Sequence, residues 1–152
     1  MQWSSTQEGL NLTGMKLMND KIFLDTNVLV YAYSNTEPDK QAIARKLIAE
    51  SDSYVSTQVL QELTNTLTKK FHNSWKEAQN AVFESCKNNL LHINERDTLV
   101  NACDIANKYK FSFYDSLIIA AALECCCATL YSEDLHNNQV IEKKLTVINP
   151  FK

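Results

Sequence analysis

Apolar residues fall in short runs separated by longer stretches with helical spacing. Ile22–Leu24 predicts a short buried strand, and Val28–Tyr33 continues the apolar run beyond Asp25, Thr26 and Asn27. Pro38 suits the first turn of a helix, with Ile43, Leu47 and Ile48 as its apolar stripe. Ser53–Ser56 predicts a second strand. Thr57 is a candidate cap for a helix in which Val59, Leu63 and Leu67 recur every four residues. A further helix is predicted over 74–87, a weak strand over Leu91–Ile93, and a helix over Asp97–Lys108 that buries Leu99, Val100, Cys103, Ile105 and Ala106. Ser112–Asp115 opens the most apolar helix, SLIIAAALECC. Ala128–Tyr131 and Leu145–Ile148 predict the last strands, and Asn149-Pro150 closes the second of these. Strands alternating with longer helical segments imply right-handed crossovers and a parallel sheet between two helical layers, an α/β fold.

Asp25 interrupts the first apolar run. An unpaired carboxylate in such a place costs several kcal/mol or shifts its pKa until it neutralises. In a parallel sheet the loops at the carboxyl ends of the strands build the site. Asp25 follows the first strand, Glu62 lies early in the helix after the second, and Asp134 follows Ala128–Tyr131 after Ser132 and Glu133. Asp115 begins the helix that feeds that same strand. Four acids from distant parts of the chain thus head for one edge. Each has a structural alternative: Asp115 as the acid of a Ser-x-x-Asp capping box, Asp134 as a turn residue, Glu62 as a solvated residue with Lys69 on the same face. Paired carboxylates about 4 Å apart repel by roughly 4 kcal/mol at an effective dielectric of 20. A hard divalent cation removes that cost, and oxygen ligands suit Mg²⁺ or Mn²⁺ better than zinc.

Composition narrows the choice. The chain has 152 residues, enough for one domain with its own core, and a net charge of −3 that gives no bulk attraction to nucleic acid. Its two glycines, Gly9 and Gly14, both precede the first strand. The rest of the chain therefore lacks the glycines that a Walker loop or a dinucleotide fingerprint needs. The three histidines, His72, His92 and His136, have no zinc-like spacing. The five cysteines include three in a row, Cys125–Cys127, read as small apolar residues of an apolar helix that cannot converge on one metal. No run approaches the roughly 18 apolar residues of a membrane span. Residues 1–19 are polar and aperiodic, lack a secretory signal pattern and are expected to form a loosely ordered extension to a domain over 20–152.

With the acids in place, the chain from about Lys21 to Lys152 resembles the PIN domain family, especially the VapC-type toxin nucleases. The likeness rests on FLDTNVLVYA, STQVLQELTNTL, FSFYDSLIIAAAL, LYSEDL and VINPF, in that order. It implies a three-layer α/β/α fold around a parallel sheet of about five strands. It implies an acidic quartet at Asp25, Glu62, Asp115 and Asp134, with Thr26, Asn27 and Ser132 as polar helpers. The activity implied is Mg²⁺- or Mn²⁺-dependent hydrolysis of phosphodiester bonds in RNA by a cytoplasmic toxin. Its implied partners are a cognate antitoxin and a second copy of the chain. Asn138 stands where relatives often carry glycine, and asparagine tolerates the left-handed conformation next best. Lys69, Lys70, Lys108, Lys110, Lys143 and Lys144 flank the acidic motifs and are candidates for phosphate contacts. Two other functions remain open: a non-catalytic PIN-fold interaction module, and an aspartate-type phosphotransfer or phosphatase domain. The second is disfavoured because Asn27 stands where such a site usually has its second acid.

Overall fold

Phe23 and Leu24 are fully buried because their strand, β1 (Lys21–Leu24), lies inside a sheet with neighbours on both sides. A computed structural model describes residues 20–152. The extension expected over residues 1–19 lies outside the described residues. After β1 come α1 (Thr26–Tyr33), α2 (Pro38–Glu50), β2 (Asp52–Ser56), α3 (Thr57–Lys69), α4 (Trp75–Asn88), β3 (Leu90–His92), α5 (Arg96–Tyr109), α6 (Phe113–Glu124), β4 (Thr129–Tyr131), β5 (Val140–Ile141) and β6 (Leu145–Ile148). The sheet order is β3-β2-β1-β4-β6-β5, and every pairing is parallel except β5 with β6. Phe23 stands opposite Tyr54 on one side and Leu130 on the other.

The α/β class and the parallel sheet agree with the sequence pattern. The sheet has six strands where five were expected, because the two-residue β5 adds an antiparallel edge too short for periodicity to reveal. Val28–Tyr33 belongs to α1, with Asp25 as its N-cap. Ser56, not Thr57, caps α3, its Oγ accepting from the Val59 N–H at 3.3 Å. On α5 the buried side is Thr98, Ala102 and Ile105, while Leu99, Val100 and Cys103 face out. Ala102 packs with Leu117 and Ala120 of α6, so close helix contact selects small residues over the most apolar face. Ile43 of α2 is likewise 37% exposed, and Ala44 takes the buried place beside Ile48.

The three cysteines do not continue a helix. Helix α6 stops at Glu124, and Cys126 adopts a left-handed conformation at φ 58°. The Cys126 and Cys127 N–H groups donate back to Leu123 O at 3.0 Å and Ala122 O at 3.1 Å, the two bonds of a Schellman stop. Cys127 enters the core, whereas Cys126 is exposed. Without glycine, other residues must supply the left-handed positions among the described residues. His72, Lys110, Asn138, Glu142 and Lys143 also do so, Asn138 at φ 70° as its sequence position implied.

Candidate functional site

Strands β1, β2 and β4 run in parallel, so the residues that follow them share one edge of the sheet. Asp25 sits at the end of β1, anchored by its own N–H, which donates to Tyr131 O of β4 at 3.0 Å. Its side chain caps α1: Oδ1 accepts from the Thr26 N–H at 2.7 Å. Oδ2 accepts from Ser132 Oγ, also at 2.7 Å. Only 8% of Asp25 is exposed. Burial pushes its carboxyl up to about 6, against the downward pull of the Ser132 and Thr26 hydrogen bonds. The charges of Glu62 and Asp134 push it the same way as burial does.

Glu62 reaches the site from the second turn of α3. Thr26 Oγ1 donates to its Oε2 at 2.6 Å, and Gln58 Nε2 donates to its Oε1 at 2.8 Å. Glu62 is therefore oriented by polar partners rather than paired with Lys69. Asp134 is exposed and receives Asn27 Nδ2 on its Oδ2 at 3.1 Å. Asn27 also accepts the Glu133 N–H on its Oδ1 at 3.3 Å. Ser132 Oγ accepts the N–H groups of Asp134 and Leu135 at 3.2 and 3.3 Å, which fixes the turn after β4. Thr26, Asn27 and Ser132, the three helpers inferred from sequence, thus each hold one or more of the acids.

Asp115 lies in the first turn of α6. Ser112 Oγ accepts its N–H at 3.2 Å, which is the serine half of a capping box; α4 shows both halves at Ser74 and Glu77. The neighbouring Tyr114 carbonyl accepts from Gln58 Nε2 at 3.1 Å, so this end of α6 meets α3 beside Glu62. The charges of Glu62 and Asp134 thus act on Asp25, and the first turn of α6, which carries Asp115, is tied to α3 beside them by the Gln58–Tyr114 bond.

Gln58 has no precedent in the sequence reading, although it stands one turn before Glu62 on the same helix face. Both partners of its Nε2 are acceptors, which fixes the orientation of the amide. Its Oε1 is buried without a hydrogen-bond partner. Tyr31, Lys40 and Glu133 also border the site without having been singled out. Lys40 Nζ donates to Glu133 Oε1 at 2.6 Å and to Tyr31 Oη at 3.1 Å, and Tyr31 Oη donates to Glu133 Oε2 at 2.6 Å. A cleft of ≈ 520 Å³ opens over this edge, lined in part by Thr26, Asn27, Glu62, Lys70 and Asp134. Of the candidate phosphate-binding lysines, Lys70 borders the cleft, whereas Lys108 is paired with Glu142 at 3.1 Å.

The donor chemistry suits a hard divalent cation: carboxylates, hydroxyls and an amide oxygen, with a buried carboxylate whose charge neighbours are also acids. The set is open, however. Among the described residues no three His, Cys, Asp or Glu side chains form a ready-made metal cage.

The family model of the PIN domain matches residues 22–141. The chain belongs to the PIN domain family. No curated protein sequence matches it. Among solved structures, this PIN domain is similar to the sarcin–ricin-loop-cleaving toxin VapC20 of Mycobacterium tuberculosis, at 18% identity and a TM-score of 0.63, covering 74% of this chain and 89% of that one. A toxin–antitoxin complex from Klebsiella pneumoniae gives 18% identity and a TM-score of 0.64, covering 85% and 97%. The DNA-bound VapBC of Salmonella typhimurium gives 14% and 0.62, covering 84% and 96%. At these identities the likeness establishes the shared PIN fold. No helix of the described residues is long and apolar enough to cross a membrane.

Proposed function

We propose that this PIN domain is a Mg²⁺- or Mn²⁺-dependent endoribonuclease, the cytoplasmic toxin of a toxin–antitoxin pair, with RNA as substrate, a cognate antitoxin as partner and a homodimer as its assembly. The observation that carries the reading is the buried Asp25 carboxylate. It closes a central strand, is held by Ser132 and the Thr26 N–H, and has Glu62 and Asp134 as the charges that act on it. A fold gains no stability from keeping like charges around a buried acid, so a bound cation is the economical reason for them.

Asp25, Asp115 and Asp134 would hold that cation, and Glu62 would complete the set directly or through water. The cation would supply charge neutralisation at a phosphodiester and acidity to a water molecule. Thr26 and Gln58 hold the two Glu62 oxygens at fixed positions. Asn27 does the same for one Asp134 oxygen. Lys70, at the rim of the cleft, would meet an RNA phosphate. The incomplete convergence of the acids favours a second reading, a PIN fold kept for partner binding without catalysis.

The two readings separate in one experiment. Purified protein is incubated with single-stranded RNA plus Mg²⁺, Mn²⁺ or chelator, alongside Asp25→Asn. Cleavage that needs metal and disappears in the variant supports the nuclease. A properly folded protein inert with both metals refutes it. Growth arrest on expression, relieved by co-expressing an adjacent gene product, tests the toxin assignment separately.

A further inference from the structure

We propose that Lys40 is a positioning residue for the acidic site, acting through Glu133 and Tyr31 to fix the turn that carries Asp134. The proposal rests on reading Asp25, Glu62 and Asp134 as a cation site. Three side chains close a ring here: the Lys40 ammonium donates to Glu133 and to Tyr31, and the Tyr31 hydroxyl donates to the other Glu133 oxygen. The ammonium stands 4.7 Å from the Tyr31 ring centroid and 5.6 Å from that of Phe151, and the two rings meet edge to face at 4.9 Å. Lys40 and Glu133 side chains are each 27% exposed, so the pair is more sheltered than an ordinary surface ion pair.

The ring matters because of what Glu133 adjoins. Its N–H donates to Asn27 Oδ1, and the same Asn27 amide holds Asp134, the next residue. Ser132, on the other side of Glu133, holds Asp25. Glu133 is thus the middle of three consecutive residues of which the outer two serve the site. Its carboxylate is tethered to α1 through Tyr31 and to α2 through Lys40. Outer partners of this kind orient ligands without touching the ion.

The sign of the effect separates positioning from plain electrostatics. Lys40 is a positive charge near a cation site, so removing it should tighten cation binding if charge alone matters. If Lys40 positions Asp134, removing it should loosen binding. The test is calorimetric titration of the chelator-treated full chain with Mn²⁺ alone, no RNA present, using the unaltered protein, Lys40→Met, Lys40→Arg, Tyr31→Phe and Asp25→Asn. Positioning predicts about tenfold weaker Mn²⁺ binding in Lys40→Met, the lower end of the cost of losing an outer partner. Lys40→Arg should recover most of it, and Tyr31→Phe should fall between. Unchanged or tighter binding in Lys40→Met overturns the proposal while leaving the cation site standing. Should Lys40→Met fail to fold, Lys40→Ala, a strong helix former on α2, decides, and Mn²⁺ binding equal to the unaltered protein's overturns the proposal. If the unaltered protein binds no Mn²⁺ that Asp25→Asn abolishes, the cation reading fails and the positioning role fails with it.

Discussion

Replacing Asp25 with asparagine should stabilise the metal-free protein at neutral pH while removing its activity. Burial raises the Asp25 carboxyl from 3.8 to about 6. That difference is a penalty of roughly 3 kcal/mol on the ionised form. The folded state holds the proton longer than the unfolded chain does. Below about pH 4 both states are protonated and the penalty is absent; it grows between about pH 4 and 6 and is complete above. Asparagine removes the charge but offers one acceptor in place of two. The Ser132 hydroxyl already accepts from two N–H groups and has no free lone pair for the new amide, a loss of about 1–2 kcal/mol. The net gain at pH 7.5 is therefore about 1–2 kcal/mol, or about 3–6 °C in Tm. Urea unfolding in chelator, followed by circular dichroism from pH 4 to 7.5, measures it. The advantage of the variant should shrink or reverse toward pH 4. A variant less stable at pH 7.5, or an advantage that ignores pH, would show that Asp25 does not carry the burden assigned to it.

Magnesium should raise the Tm of the unaltered protein, by the equivalent of about 2.7 kcal/mol at 100 times its Kd, and leave an Asp25→Asn, Asp115→Asn double variant unmoved; equal shifts place the ion elsewhere. Ser112→Ala should cost about 1 kcal/mol of stability and keep most RNA cleavage, since it removes only the bond to the Asp115 N–H. Asp115→Asn should do the reverse, and loss of stability with retained cleavage in both would make Asp115 a capping residue. Cys126→Gly should raise the Tm by about 2–4 °C, because an exposed side chain in the left-handed region costs roughly 1 kcal/mol that glycine avoids; a lower Tm would mean that the thiol contributes packing.

Among the described residues, the main strands and five of the six helices were legible because their apolar spacing is regular and their ends carry Ser74, Ser112 and Pro38. Helix α1 was not, since VLVYAY is apolar all round and has no period to tell a helix from a strand. The decisive local signal was Asp25 itself, which serves the site and caps the helix together. The buried face of α5 was misjudged because hydrophobicity ranks Leu99 and Val100 above Ala102, whereas close packing on α6 ranks them the other way. For the site, chain order placed the acids at one edge, which parallel strands guarantee. Sequence gave no sign of the Gln58 amide that links Glu62 to the first turn of α6, or of the Lys40 ring. Those depend on side-chain directions that only the packed helices define.

The bond from the Thr26 N–H to Asp25 Oδ1 has a spectroscopic consequence. Any event at that carboxylate, a proton gained or an ion seated, withdraws electron density from the acceptor of this one amide. Its chemical shift should therefore follow site occupancy directly, and the exchange of the first amides of α1 with solvent should follow the strength of the cap. A single resonance at the start of one helix thus offers a reading of how full the site is, without substrate, label or turnover.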